Sequence, residues 1–588
     1  MAFDPLPSSA KLASVLSEWE YHGRPGLPHR GFMLNRPAGG HRRGIRRADT
    51  GATVFETEEH ILQMSPAPSH RHIALQLAPR GDEDGNLAVL DVTTGELQRY
   101  PNIRCRYEPM RWKSGSGRLE LVARDPQRLI SLDIVSGTIS ETPVATDARV
   151  RLFPGGAEGL LTESRPTAPT AVLDRATNRK LLSFTSVMDI VEIGRNVLIR
   201  TGTALHEADP VTGALQWSWE DPGLRITAFT VDAHIVYVTG VRAGHSVIIE
   251  LSEGVPRAEN EVVHEGSPAV ALDIAADGDG VHVLVESPVI PPRAVAVENI
   301  VEPAPHRPPE RSEDRSIGDT VWHEFPADDG TLLTVALTSP PDMEGPAPLI
   351  LTCYGGFGVA YLPIFEPTIP AWISCGGRYG FAQIRGGGEH GTAWREAGRG
   401  HNKYRGINDL AAIARGLVDI GVTQPELLVL VGASHGGVIV TSCALGHPEI
   451  CAGVVATAAP LDLLSLTAHP LGRSWMSEFC GPENAESIKA MRRISPLYRA
   501  QSIPAGSRLP KFLGIVLAED GRVNADATQE FVSVLRAKGG EATLWQAQNT
   551  GHGNNHLDSL HQLGMAVLGF AATTTGVFAA PPLKRKPS

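Results

Sequence analysis

The sequence predicts a seven-bladed β-propeller followed by a doubly wound α/β domain with a mostly parallel sheet. Three observations predict it. A turn motif recurs about every 41 residues through the first half. Strand and helix patterns alternate through the second half. Between the halves lies VEPAPHRPPERSED (301–314), whose four prolines and many charges read as a linker.

The recurring motif is an apolar run, an Asp, then Thr or Ser before Gly or Asn. It appears as DVTTG (91–95), DIVSG (133–137), DRATN (174–178) and DPVTG (209–213). ADTG (48–51) and ELSEG (250–254) are weaker copies. The markers fall at 51, 95, 137, 178, 213 and 254, and RAVAVENI (293–300) stands where a seventh copy is due. Gly and Asn tolerate positive φ, and Asp and Thr bond local backbone, so each motif is a tight turn. Alternating segments such as NLAVLDV (86–92) and HIVYVTGV (234–241) flank these turns and read as hairpin strands. A period near 41 residues with few helices fits four-stranded blades over 31–306 better than a β-sandwich array.

After the linker, 331–340, 347–356, 378–387, 427–434, 451–462, 511–520 and 542–552 read as strands. NDLAAIARGLVDIG (408–421) and NADATQEFVSVLRAKG (524–539) read as amphipathic helices. The expected division is therefore an N-terminal segment over 1–30, the propeller over 31–306 and the α/β domain over 307–588.

Composition narrows the function classes. The 588 residues are 42% hydrophobic and 20% charged, which is globular and excludes wholesale disorder. A formal net charge of −12 argues against general nucleic-acid binding. The basic run HRRGIRR (41–47) reads as a solvated hairpin. No run of 18 apolar residues is present and the first residues lack a secretory pattern, so neither a membrane helix nor export is expected. Six scattered cysteines form no CxxC pair, which points to free thiols in the cytoplasm rather than a metal site.

GASHGG (432–437) carries the sharpest chemical signal. It fits G-x-S-x-G around Ser434, after an apolar strand and before a helix. That context makes it a nucleophile elbow of an α/β-hydrolase domain, where small neighbours let a strained turn expose the hydroxyl. A serine needs a base, and the base needs an orienting carboxylate. In this fold they follow in the order acid, then histidine, on loops after later strands. Asp520 ends KFLGIVLAE and His552 follows ATLWQAQ, so they are the candidate acid and base. Asp462 and His556 are the alternatives, and His447, His469 and His561 fit surface or helix positions. The developing oxyanion needs donors. The backbone N–H of His435 supplies one, and the hydroxyl of Tyr354, after the strand LILTC, supplies another.

These motifs resemble the prolyl oligopeptidase family of serine peptidases. YGGF (354–357), IRGGGEHG (384–391), GASHGG (432–437), EDGRV (519–523) and TGHG (550–553) occur in that family's order. The resemblance covers about 320–575, and is architectural over the front half, where the family carries a seven-bladed propeller. It implies that helix 8–22 packs on the hydrolase domain. It places the nucleophile on Ser434, the acid on Asp520, the base on His552 and the oxyanion tyrosine on Tyr354. It also implies a proline-accepting pocket with Trp475 stacked on the ring and Phe357 and Phe479 beside it. Arg522 would bind a substrate carbonyl, and Val523 would line the substrate site. Two features depart from the family: His435 and Ala433 stand where GGSNGG has Asn and Gly, and the front half is short.

The resemblance implies a cytoplasmic peptidase that needs no metal or cofactor and cuts short peptides after proline. A leader-trimming maturation protease is a special case. The alternatives are a dipeptidyl or acylaminoacyl exopeptidase, with Glu58 and Glu59 holding the substrate amino terminus, an esterase, or a non-catalytic propeller scaffold.

Overall fold

The computed structural model describes residue 4 and residues 10–577, apart from 21, 24, 37–42, 80–81, 114–116, 145–146, 154–158, 166–167, 278–279, 302–316, 469–471, 482–483 and 553–556. Most of the linker, and both His469 and His556, lie outside the described residues.

Seven antiparallel sheets of three or four strands follow one another among the described residues from Phe32 to Ala296, with a two-stranded ribbon, Val263–His264 and Ser267–Pro268, before the last. The first and last have three strands and the five between have four, which makes a seven-bladed propeller. Its turn chemistry is visible in the backbone. Gly51, Gly95, Gly137, Asn178, Gly213 and Gly254 all have φ between 55° and 78°. Asp91, Asp133, Asp174 and Asp209 accept N–H bonds from residues two or three further on. From 95 onward these turns join the third and fourth strands of a blade. Leu119, Leu121, Ile130, Met110 and Trp112 belong to one of the apolar clusters between blades. The basic run differs from expectation. Gly44–Arg47 is the middle strand of the first blade, and Ile45 is fully buried because it packs on Ile61, Ile73 and Leu75 of the second blade.

The second sheet has eight strands: β1 Asp319–Pro326, β2 Leu332–Ser339, β3 Leu349–Cys353, β4 Arg378–Gln383, β5 Leu428–Ala433, β6 Gly453–Thr457, β7 Lys511–Leu517 and β8 Ala542–Ala547. Their spatial order is β1-β2-β4-β3-β5-β6-β7-β8. The pairs β1–β2 and β2–β4 are antiparallel and the rest are parallel. Leu428, Val429 and Leu430 of β5 are fully buried, because both faces of a central parallel strand are covered.

The helices that matter for the site are α1 Ala10–Glu20, α2 Thr368–Ser374, α3 Gly391–Ala397, α4 Tyr404–Asp419, α5 His435–Gly446, α6 Gly472–Phe479, α7 Ala525–Ala537 and α8 Leu557–Thr575. One sheet face carries α4, α5 and α7, with Leu410, Ile439 and Phe531 in its core. The other carries α1, α2 and α8, where Leu12 and Leu16 meet Ile369, Trp372 and Leu568. His561 on α8 is bonded to Glu20 on α1 at 2.7 Å.

Candidate active site

Ser434 sits where β5 turns into α5, with φ 52° and ψ −121°. A non-glycine residue rarely adopts this conformation, and the surroundings hold it there. Ser434 N–H donates to Thr457 O at 2.8 Å, and its carbonyl accepts from Gly437 at 3.1 Å. The two motif glycines are steric necessities. A side chain on Gly432 would strike the backbone of Gly436, and one on Gly436 would strike the carbonyl of Cys353.

His552 follows β8 and Asp520 follows β7, at the carboxyl ends of neighbouring strands. Glu519 N–H donates to Thr550 O at 2.9 Å, which ties the two loops together. Asp520 Oδ2 lies 2.8 Å from His552 Nδ1, and His552 Nε2 lies 3.2 Å from Ser434 Oγ. Asp520 Oδ1 accepts the backbone N–H groups of Arg522 at 2.8 Å and Val523 at 3.0 Å. An ionised carboxylate only accepts, so it holds the proton on Nδ1 and leaves the Nε2 lone pair facing the serine. The side chains of His552 and Asp520 are 9% and 4% exposed, so little water competes.

The alternatives are accounted for otherwise. Asp462 accepts from Leu464 N–H at 3.0 Å in a local turn. His447 is bonded to Arg415, and His561 to Glu20.

Tyr354 follows β3, and its hydroxyl lies beside the Ser434 side chain. Burial, and then the Glu478 carboxylate, push its pKa up, so the phenol keeps its proton and remains a donor. The backbone N–H of His435 is the first amide of α5 and has no acceptor within its own helix.

The His435 side chain points away from the opening. It is 2% exposed, with Tyr354, Phe357 and Phe479 rings at 5.6, 5.5 and 5.2 Å. Burial, and then the nearby Lys403 cation, hold it well below the usual histidine range, so the ring is neutral. Phe357 and Phe479 meet edge to face at 6.4 Å. Phe479 is only 1% exposed and backs the cluster from beneath, whereas Trp475 and Phe357 are half-buried against the same core.

Arg522 meets Glu83, from the second blade, with Nε to Oε2 at 2.8 Å. Arg106 pairs with the same carboxylate. Burial alone would raise the Glu83 carboxyl, but the two guanidiniums outweigh it and hold the group below the usual range. Lys403 and Glu478 form a buried ion pair behind the aromatic cluster. Sequence reasoning missed Glu83, Arg106, Lys403 and Glu478, because lone charged residues in loops and short helices carry no signal of their partners.

Among the described residues there is no group of three or more His, Cys, Asp or Glu side chains that could hold a metal ion. No helix there is long and apolar enough to cross a membrane. None of the six cysteines is in a disulfide, with Cys375 and Cys480 half-buried and the others buried.

A sheet of this order, with a strained serine before α5 and an Asp–His pair after β7 and β8, defines an α/β-hydrolase domain, here joined to a seven-bladed propeller. Residues 364–576 match the prolyl oligopeptidase family, and this part of the chain is a domain of that family. Over 214 residues the chain is 30% identical to an uncharacterised peptidase of Sinorhizobium fredii, covering 36% of this chain and 29% of that one. A prolyl endopeptidase of Elizabethkingia meningoseptica is 29% identical over 217 residues, covering 36% of this chain and 30% of its own. The aligned region thus spans about 30% of the length of these curated relatives. The whole architecture is shared more widely. A solved prolyl endopeptidase superposes with a TM-score of 0.82 at 20% identity, over 97% of this chain and 92% of the other. A post-proline cleaving enzyme from Rickettsia typhi gives 0.80 at 15% identity, over 97% and 95%.

Proposed function

We propose that the protein is a serine peptidase that cuts short peptides after proline through an acyl-enzyme. The hydrogen-bond chain from Ser434 through His552 to Asp520 carries this reading. His552 Nε2 takes the Ser434 proton as Oγ attacks the scissile carbonyl. His435 N–H and the Tyr354 hydroxyl receive the charge on the carbonyl oxygen. His552 then passes the proton to the leaving amine, and the acyl group stays on Ser434 as an ester. Water attacks that ester with His552 as base, which releases the acid and restores the serine.

Support for proline specificity is Phe357 beside His435, backed by Phe479, with Trp475 half-buried against the same core. Flat walls suit a pyrrolidine ring that has no N–H to satisfy. Several relatives are prolyl endopeptidases by name, and one of Amanita bisporigera, 30% identical over 220 residues, is a dual-function macrocyclase-peptidase. These names favour peptide substrates, including precursor peptides. Thiols buried in the core, such as Cys353, Cys443 and Cys451, suit a reducing cytoplasm. The exopeptidase reading has less support, since Glu59 is already paired with Arg99.

A peptide-library digest read by mass spectrometry tests the proposal, with Ser434→Ala as control. Cleavage after proline that disappears in Ser434→Ala is expected. Turnover that persists in a folded Ser434→Ala protein would remove the mechanism. Hydrolysis of esters without any peptide cleavage would make the protein an esterase.

A further inference from the structure

Several deeply buried cations have carboxylate partners, while Arg378 donates instead to the backbone carbonyls of Val422 and Met343. Arg111 pairs with Glu120, Arg385 with Asp409, and Lys403 with Glu478. Burying a charge without a partner is costly, which favours such pairs. Four half-buried arginines near the domain junction lack one. Arg151, Arg200, Arg225 and Arg395 have no carboxylate partner among the described residues, and Nε of Arg151, Arg200 and Arg395 is shielded from solvent without an acceptor.

The four form a chain of like charges in which Arg151 feels Arg200, Arg200 feels Arg225 and Arg225 feels Arg395. Arg151 and Arg225 lie on the first strands of the fourth and sixth blades. The fourth strand of a blade, such as Ile139–Pro143, is exposed along its length, so the first strand borders the propeller axis. Arg200, from the second strand of the fifth blade, reaches across to Ile226 O at 3.3 Å. Arg395 comes from α3 of the hydrolase domain. Its stem lies against Gly358, the residue after Phe357, where a Cβ would come within 2.7 Å of Cδ. The Arg225 stem lies against Gly388, where a Cβ would come within 3.0 Å. Gly388 N–H donates to Val359 O at 3.0 Å, so both stems pack on one junction beside the aromatic cluster.

The arginines feel one another. Burial, and then Arg395, lower Arg225; burial lowers Arg200, with Arg225 adding to it against Asp189. Asp189, Glu108 and Glu389 offset part of this charge, and burial raises the pKa of each, Glu389 to about 7. Arg200 donates to a carbonyl and Arg151 lies over the Phe153 ring at 5.3 Å, but none of the four guanidiniums has a carboxylate at ion-pair distance among the described residues, in a chain of net charge −12. Planar forks of N–H donors match carboxylate geometry.

We propose that Arg395, Arg225, Arg200 and Arg151 form a carboxylate-binding track that runs from the Phe357–Gly358 loop into the propeller and selects acidic peptides. This rests on the reading that the protein takes peptides. The carboxylate comes either from an acidic side chain or from the peptide's C-terminus.

Binding to the full-length Ser434→Ala protein tests it without any chemical step, so the outcome is separate from whether the wild type is a peptidase. Three fluorescently labelled peptides of one length are compared by anisotropy: a neutral Gln-containing amide, the same amide with Glu for Gln, and the Gln peptide with a free C-terminal acid. At least one acidic peptide should bind about tenfold tighter than the neutral one at low salt, with the gap shrinking as salt rises. Preference for the Glu amide assigns the track to side chains, and preference for the free acid assigns it to C-termini. Arg225→Gln should cut the gap to below about threefold, while Arg225→Lys, which keeps the charge, should retain most of it. Equal binding of all three peptides by a protein of unchanged melting temperature overturns the proposal. So does a gap that survives in both Arg225→Gln and Arg200→Gln.

Discussion

Lys403 and Glu478 form an ion pair whose side chains are 0% and 2% exposed. Lys403 Nζ also donates to Gly355 O at 3.2 Å and lies 3.5 Å from His435 Nε2. One ammonium therefore joins three segments around Ser434: the Tyr354–Phe357 loop, the start of α5, and α6 with Trp475 and Phe479. Removing one partner leaves a buried charge without compensation. Glu478→Ala should lose about 3–5 kcal/mol of stability, read by thermal or urea unfolding. Glu478→Ala combined with Lys403→Met should recover part of it. A single variant that melts like the wild type would mean the pair is solvated in solution.

Asp520→Asn tests the orienting role. The two backbone donors at Oδ1 favour keeping the side-chain oxygen there, which turns the amide N–H₂ toward His552 Nδ1. The ring then carries its proton on Nε2 and cannot accept from Ser434. Turnover should fall about 10⁴-fold with little change in peptide binding. A fall of less than tenfold would put the acid elsewhere.

Tyr354→Phe removes one proposed oxyanion donor and little else. The expected loss is about 10²–10³ in kcat, with KM nearly unchanged. If single-turnover rates change by less than threefold on several substrates, the phenol is a packing group.

Trp475→Ala should weaken cleavage after proline more than cleavage after alanine. Stacking contributes about 0.5–1.5 kcal/mol beyond area burial, so the ratio of kcat/KM for matched Pro and Ala peptides should fall roughly threefold to tenfold. A wild type that cuts equally well after both residues would disprove the pocket assignment.

Glu389 gives a pH dependence with a definite sign. It is fully buried at the junction of the two domains, Oε1 accepts from Tyr361 N–H at 2.8 Å, and Oε2 has no partner. Burial raises its pKa from 4.5 to about 7. The folded state thus holds this proton more tightly than the unfolded chain. The stabilisation is fully present below about pH 4.5 and is lost as pH rises through 7. Glu389→Gln keeps an acceptor for Tyr361 and cannot ionise. It should melt a few degrees above the wild type at pH 8, with the gap closing near pH 5. A gap independent of pH would show that the carboxyl does not titrate in this range.

Periodic and contiguous features were readable in the sequence. Asp91 and Gly95, Asp133 and Gly137, and Asp209 and Gly213 mark blade turns because a turn's hydrogen bonds and positive φ close within five residues. Ser434 was readable for the same reason, since the crowding that demands Gly432 and Gly436 arises at a local turn. The strand at 319–326 escaped notice, and HRRGIRR was read as a solvated hairpin, because burial of Ile45 depends on packing against the second blade.

The sequence by itself determined the turn spacing, the strand–helix alternation and the residue types available for chemistry. Tertiary structure decided which of them meet. Asp520 rather than Asp462 lies against His552 because the loops after β7 and β8 are bonded to each other. Glu83 reaches Arg522 across more than four hundred residues of chain, and Arg200, Arg225 and Arg395 converge from two blades and a separate domain. The physical reason is range. Backbone sterics and local hydrogen bonds act over a few residues and leave a pattern, whereas pairing of buried charges acts through space. Its partners are fixed only when the propeller closes against the hydrolase sheet.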